Sequence, residues 1–304
     1  MERPAADARD FIGYGGTTPA TRWPNGARLA VSFVLNYEEG GEPSIADGDP
    51  ASESIMHEIV GAPSAPGRRT IHVESMYEYG SRAGFWRIHR LFTERSLPLT
   101  VFAVGLALER NPEAAQAMAD AGWEVIGHGW RWIDYGAVPE EVEREDIRRT
   151  NEAIRRLTGQ EPRGWFTGRL GERTRGLALE ETNLLYDSDA LADDLPYYVE
   201  SAGGPHLIVP YSLDCNDFKF LLPNGWVTGR DFHDYLVDTF EQLYAEGATA
   251  PRLMNIGLHC RVVGKPGRAH GLRRFLDFLA AYPDVWVTTR VEIARHWLEH
   301  CPPG

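Results

Sequence analysis

Apolar runs with the character of strands alternate along this chain with segments whose apolar residues recur at helical spacing. Residues 28–36 (RLAVSFVLN) read as a buried strand. Over 84–95, Phe85, Ile88, Leu91 and Phe92 mark one face of a helix. A second strand is predicted at 97–104. Asn111-Pro112 then has the form of a helix start, Asn as cap and Pro in the first turn, for a helix running to about residue 121. Further strands are predicted at 123–126, 164–167, 184–186, 207–209, 253–258 and 285–287. Further helices are predicted at 139–157, 175–181, 231–246, 272–281 and 292–300. Repeated strand–helix units predict an α/β fold with a parallel sheet. The stretch from about 40 to 70 breaks the alternation. Rich in Gly, Pro, Ser and acids, it is expected to be a long loop inside one catalytic domain spanning 1–304. Loops of that length in compact domains are often functional.

Several predicted strand ends run directly into polar residues. They are Glu38 and Glu39, His128, Thr167 and Arg169, Asp187 and Asp189, the group Asp214, Asn216 and Asp217, and His259 with Arg261. In an α/β barrel the C-terminal ends of the strands converge on one face, and that face carries the chemistry. Residues far apart in sequence would therefore meet in one pocket. Polarity at one loop is ordinary; its recurrence at successive strand ends is not.

Carboxylates, imidazoles and guanidinium groups gathered in this way fit hydrolysis. A carboxylate takes a proton from water, a histidine gives one to a leaving nitrogen, and an arginine orients the carboxylate or balances negative charge. The alternatives have no motif. There is no G-x-S-x-G elbow, no glycine-rich dinucleotide fingerprint after a strand and no P-loop. Cys260 adjoins His259, but neighbours on a strand point to opposite faces, so Cys260 is expected to be packing.

Charge narrows the partners. With 31 basic and 44 acidic residues the net charge is −13, which repels polyanions and makes nucleic acid a poor partner. The one basic cluster, Arg144, Arg148 and Arg149, lies among Glu141, Glu143, Glu145 and Asp146 and reads as a solvated helix face. Three cysteines give no disulfide framework. The opening MERPAADARDFIGYGG has no apolar stretch and no run is long enough to span a membrane. A cytoplasmic protein with no membrane partner is expected.

At these strand ends the chain resembles the polysaccharide deacetylase family. That family's T-F-D-D-G motif is met by Asn36-Tyr37-Glu38-Glu39-Gly40, which places Glu38 where the general base stands and Glu39 where a metal ligand stands. The H-[ST]-x-x-H motif is met by His128-Gly129-Trp130-Arg131-Trp132, with Trp132 in place of the second metal histidine. The R-P-P-[YF]-G motif is met loosely by Thr167-Gly168-Arg169-Leu170-Gly171, its arginine shifted to Arg169. The terminal L-H is met by Leu258-His259, where histidine is the general acid. The segments RDFIGYGG, SFVLNYEEGGE, ESMYEYGSRAGFWR, RWIDY, LYDSD, DDLPY and GLHCR are similar to one branch of the family, the allantoinases of bacterial purine catabolism. The similarity runs from about residue 9 to 297.

The resemblance implies a deformed, incompletely closed (β/α) barrel of about seven strands and a homotetramer. It implies a hydrolase opening a hydantoin C–N bond, allantoin to allantoate. A cyclic imide hydrolase and a sugar N-deacetylase acting on peptidoglycan or chitooligosaccharide are the alternatives, and a catalytically dead carbohydrate-binding module is the reading from another class. The missing histidine and displaced arginine favour the last; retention of Glu38 and His259 opposes it. Glu38, Glu39, His128, His259 and Arg169 are the candidate catalytic residues, and Tyr37, Trp132, Asp189 and Arg261 the candidate substrate contacts. No cofactor is expected. Zinc catalysis usually takes three protein ligands, and indole offers no lone pair, so any ion would rest between Glu39 and His128 unless Asp134 or Asp189 joined them. Glu74, Tyr77, Glu78, Tyr79 and Arg82 form a polar–aromatic cluster before a helix, expected either to bind substrate or to make a subunit or loop contact. His89, His270 and His296 are expected to be solvated.

Overall fold

The computed structural model describes residues 9–59 and 65–303. The first eight residues, residues 60–64 of the expected loop and the final residue lie outside the described residues. The strands are β1 (Leu29–Tyr37), β2 (Thr100–Ala103), β3 (Glu124–Gly127), β4 (Gly164–Trp165), β5 (Tyr186–Asp187), β6 (Tyr197–Ser201), β7 (Gly204–Ile208), β8 (Arg252–His259) and β9 (Val285–Val287). They form one sheet in the order β6-β7-β5-β4-β3-β2-β1-β8, with β9 beside β1. From β7 to β8 the strands run parallel, the expected open barrel. β1 is its spine. It pairs with β8 along one edge, while β9 takes the first part of the other edge and β2 the last. Between β7 and β8 the wall is closed through one isolated β-bridge, Asn216 against Gly257.

Strand parity decides which residues enter the barrel, because successive side chains face opposite ways. Leu29, Val31, Phe33, Leu35 and Tyr37 of β1 pack outward with Met254, Ile256, Leu258 and Cys260. They meet α2 (Phe85–Thr93), α7 (Gly229–Glu246) and α8 (Pro266–Leu279) through Phe85, Phe92, Phe240 and Phe275. Ala30 and Val34 face inward with Phe102, Ile126, Tyr186, Tyr211 and Leu253. Asn36 and Glu38 share this inward parity at the mouth, and so does His259. Cys260 is packing, as expected.

The remaining helices are α1 (Ile71–Tyr79), α3 (Gly105–Arg110), α4 (Pro112–Asp120), α5 (Glu140–Thr158), α6 (Thr174–Glu181) and α9 (Arg290–His300). Asn111 caps α4 by accepting the Ala114 N–H. Three elements had no periodic signal. β6 is a half-exposed edge strand, α3 is six residues long, and α1 buries Val73 and Tyr77 alone, too narrow a stripe to read. The cluster Glu74 to Tyr79 precedes α2, as expected, but lies on a helix of its own, α1. A π-helical turn, Gly80–Gly84, joins α1 to α2. The histidines correct another expectation: His89 packs against Phe85, Trp86 and Trp123, and His296 against Trp23 and Trp286, while His270 is exposed. The basic cluster on α5 is neutralised locally, Arg144 by Glu140, Glu180 and Glu181 and Arg148 by Glu181. Among the described residues no helix is long and apolar enough to cross a membrane.

Candidate active site

β1 ends at Tyr37, and Glu38 follows inside the barrel mouth. Its carboxylate is buried between three cationic or protonatable groups. Oε1 lies 3.3 Å from His128 Nε2 and 3.7 Å from His259 Nε2. Oε2 lies 2.8 Å from Arg261 Nη2, an ionic contact without the alignment of a hydrogen bond. Burial pushes the Glu38 carboxyl up, but Arg261, His259 and His128 together outweigh it and hold the group far below the usual carboxylate range. Glu38 is therefore ionised throughout the working range of pH.

His259 ends β8. Its Nδ1 donates to Asp217 Oδ1 at 2.6 Å, which leaves Nε2 facing Glu38. The other oxygen of Asp217 accepts the backbone N–H groups of His259 (2.7 Å) and Val263 (2.9 Å). Burial disfavours the imidazolium, yet the charges of Asp217 and Glu38 raise the His259 pKa above its ordinary 6.5. His128 follows β3. Its Nδ1 donates to the Phe166 carbonyl at 2.6 Å, so its Nε2 is also turned toward Glu38.

Glu39 has a different environment. Oε2 accepts the Glu38 N–H (3.1 Å) and Oε1 the Arg261 N–H (3.2 Å). The carboxyl lies so close to Gly80 that a Cβ there would collide with it. Burial and the charge of Glu38 raise its pKa against the pull of Arg261. It lines a separate cavity of about 300 Å³ with Glu42, Tyr77 and Arg110. Two adjacent glutamates are thus driven apart in pKa, Glu38 down and Glu39 up.

Glu38, His128 and His259 share one small pocket of about 180 Å³ with Asn36, Tyr211 and Asn216. Its walls are Met56, Trp132, Phe166, Leu213 and Phe218. Met56 belongs to the expected long loop, so the loop contributes to one wall of the site. Of the nine candidate residues, Glu38, His128, His259 and Trp132 line this pocket. Arg261 underlies it, its guanidinium buried 4.2 Å from the Tyr77 ring centre, where it meets Glu38 and not open space. Tyr37 points outward onto Phe85 with its hydroxyl toward Ser81, a core residue with no face on the pocket. Asp189 accepts the N–H groups of Thr167 (2.8 Å) and Gly168 (3.3 Å) and so shapes the loop after β4. Burial and the nearby Asp187 raise its pKa to about 6. Arg169 pairs with buried Glu53 at 3.1 Å and stacks on Trp132, its Cζ 3.6 Å from the ring centre, and has no contact with Glu38. Tyr211, which also lines the pocket, is a residue that sequence reasoning did not single out, and Asp217 appeared there only as part of a strand-end group. The polar run 214–217 was visible, but its partner on β8 was not.

The donors do not fit the three-ligand metal centre of the deacetylase pattern. Trp132 presents a ring already stacked on Arg169. Both oxygens of Glu39 are engaged by backbone N–H groups, and Nδ1 of His128 is turned to a carbonyl. Asp134 caps the turn at Gly136, and Asp189 is held by Thr167 and Gly168. Among the described residues no three His, Cys, Asp or Glu side chains are arranged to hold an ion.

Comparison with known proteins identifies the family. The polysaccharide deacetylase family model matches residues 67–186. A Schizosaccharomyces pombe protein named "Putative polysaccharide deacetylase" is 42% identical over 96% of this chain and 97% of its own length. The chain belongs to the polysaccharide deacetylase family. Two crystal structures are similar over nearly the whole chain. A "probable Polysaccharide deacetylase" from Pseudomonas aeruginosa PAO1 has a TM-score of 0.94 at 49% identity, covering 97% of this chain and 99% of that one. A structure described as PuuE allantoinase has a TM-score of 0.94 at 48% identity, covering 100% of both chains. The fold is the α/β half-barrel of this family, and the chain is a hydrolase of the family's kind.

Proposed function

We propose that this hydrolase opens the ring of a cyclic amide, and that the substrate is allantoin, hydrolysed to allantoate. The observation that carries the chemistry is the pair Glu38 and His259, held 3.7 Å apart at the floor of a small aromatic-walled pocket. At about 180 Å³ the pocket lies below the roughly 300–1,000 Å³ typical of drug-sized ligand sites. That size supports a compact heterocycle over a sugar oligomer. Trp132 and Phe166 supply aromatic walls against which a compact ring can pack. The full-length similarity to a structure described as PuuE allantoinase supports the choice of allantoin.

Glu38 takes a proton from water as the oxygen adds to the ring carbonyl carbon. His259, charged through Asp217, gives its Nε2 proton to the leaving nitrogen as the C–N bond breaks. The two steps assist one another. Glu38 is a weak base while His259 is charged, and its basicity rises when His259 loses that charge. Afterwards Glu38 holds a proton and His259 lacks one, and the short gap between them lets the proton return. Chemistry of this kind needs an electrophilic carbonyl, which a cyclic ureide provides better than an acetylated sugar amide.

Initial rates on allantoin, succinimide, dihydrouracil and N-acetylglucosamine oligomers test the reading. Allantoin should be opened fastest. Rapid succinimide opening without allantoate would make the protein an imide hydrolase, and acetate release would make it a sugar deacetylase.

A further inference from the structure

Tyr211 lies just beyond β7, in the irregular segment before Asn216, and its ring is packed against Phe102 and Phe166 with only 3% of the residue exposed. Its hydroxyl oxygen sits between two amide side chains. Asn36 Nδ2 lies 3.0 Å away and Asn216 Nδ2 lies 2.9 Å away. The orientation of each amide is fixed by a backbone group that permits no flip. Asn36 Nδ2 also donates to the Leu258 carbonyl, which an amide oxygen could not approach. Asn216 Oδ1 accepts the Phe218 N–H, which an amide nitrogen could not do. Both neighbours of the phenol oxygen are therefore donors.

A tyrosine hydroxyl has two acceptor sites and one proton. With both acceptor sites filled by N–H groups, the proton must leave in the third direction. Among the described residues no acceptor stands within hydrogen-bonding distance to take it. Asn36, Tyr211 and Asn216 all line the pocket that holds Glu38 and His259. The arrangement is tight, because a Cβ at Gly257 of β8 would collide with both the Tyr211 hydroxyl and the Asn216 amide. A glycine in mid-strand often marks such a close approach.

We infer that Tyr211 is a catalytic hydrogen-bond donor, its O–H aimed by Asn36 and Asn216 at the carbonyl oxygen that becomes negative as water adds. The inference rests on the proposed hydrolysis of an amide in this pocket and supplies what that mechanism lacks, a donor for the developing oxyanion. Burial raises the phenol pKa well above its ordinary value, so the proton stays on the oxygen at any working pH. Asn36 and Asn216 act through Tyr211 as positioning residues. Because they are donors themselves, they also keep the hydroxyl from being spent on a protein acceptor.

The test uses kcat and KM of the full-length enzyme on whichever amide the wild type hydrolyses. Tyr211→Phe keeps the ring and removes the proton, and should lower kcat by about 10²–10³-fold, the usual cost of losing one oxyanion donor, with KM within a few-fold. Asn216→Asp retains the acceptor for the Phe218 N–H but offers the phenol a carboxylate. The tyrosine proton should turn to it, and kcat should fall although the hydroxyl is present. The double variant should be no slower than Tyr211→Phe alone, because both changes remove the same proton from the pocket. Melting curves equal to wild type would show that packing is intact. A Tyr211→Phe enzyme with at least half the wild-type kcat overturns the inference, as does a double variant whose losses multiply. A wild type that cleaves only acetylated sugars would refute the proposed substrate while leaving the Tyr211 test to be read on that amide.

Discussion

His259 donates its Nδ1 proton to Asp217 at 2.6 Å, and the same carboxylate group is pinned by two backbone N–H groups, one of them from His259 itself. This bond fixes the ring orientation, presents Nε2 to Glu38 and helps keep the imidazole charged. Activity requires that charge, so the alkaline limb of the rate profile should lie above the ordinary histidine pKa of 6.5. Asp217→Asn removes the negative charge, leaves burial in force and should lower the His259 pKa. The alkaline limb should move to lower pH, and the maximal rate should fall by up to about 10²-fold. An unmoved limb in a folded variant would separate Asp217 from the proton donor.

Arg261 carries the opposite duty toward Glu38. Arg261→Met strips the buried carboxylate of its strongest counter-charge. The Glu38 pKa should rise, and the acid limb of activity should move to higher pH. Stability should drop as well, since breaking a buried ion pair typically costs about 3–5 kcal/mol. The sign of the wild-type pH dependence follows from the lowered Glu38 pKa. Its contribution to stability is present above about its ordinary 4.5 and is lost as pH falls toward the folded-state value. Thermal melts of wild type and variant between neutral and acid pH check this: the gap should narrow as pH falls.

Arg169, which only loosely matches the family's R-P-P-[YF]-G motif, pairs away from Glu38. It holds Glu53, in the loop that carries Met56, and covers one face of Trp132. Arg169→Ala should therefore loosen the pocket wall, raising KM more than it lowers kcat. A collapse of kcat with unchanged KM would mean that Arg169 reaches the reacting atoms.

Much of this architecture was legible because burial and strand parity are local signals. The apolar run RLAVSFVLN leading into Glu38 foretold both the strand and the carboxylate at its mouth. The same parity places Tyr37 on the far face, so the sequence already held the reason why it is core and not substrate contact. Arg261 was legible as a strand-end residue, but its burial under Tyr77 depends on α1, a helix with almost no amphipathic signal. Tyr211, and the pairing of Asp217 with His259, were hidden for a different reason. Both residues lie in irregular chain after β7, and their roles arise from the single bridge that brings this segment against β8. No local pattern encodes that register.

The donor geometry predicts that exhaustive chelation leaves turnover unchanged. Metal content should be measured on the same sample as the rate, so that a retained ion is not mistaken for independence. Loss of activity on chelation and its return with zinc would show that Glu39 and His128 recruit a third ligand that the described side chains do not supply.

The central claim is that Glu38 and His259 form the base and acid that open a cyclic amide ring. It is tested most directly by following allantoin by carbon NMR with wild type, Glu38→Gln and His259→Ala at neutral pH. Wild type should convert allantoin to allantoate with no other product, and each variant, still folded, should be slower by about 10²–10⁴-fold. Allantoin left intact by an active wild-type preparation, or opened at full rate by folded His259→Ala, would contradict it.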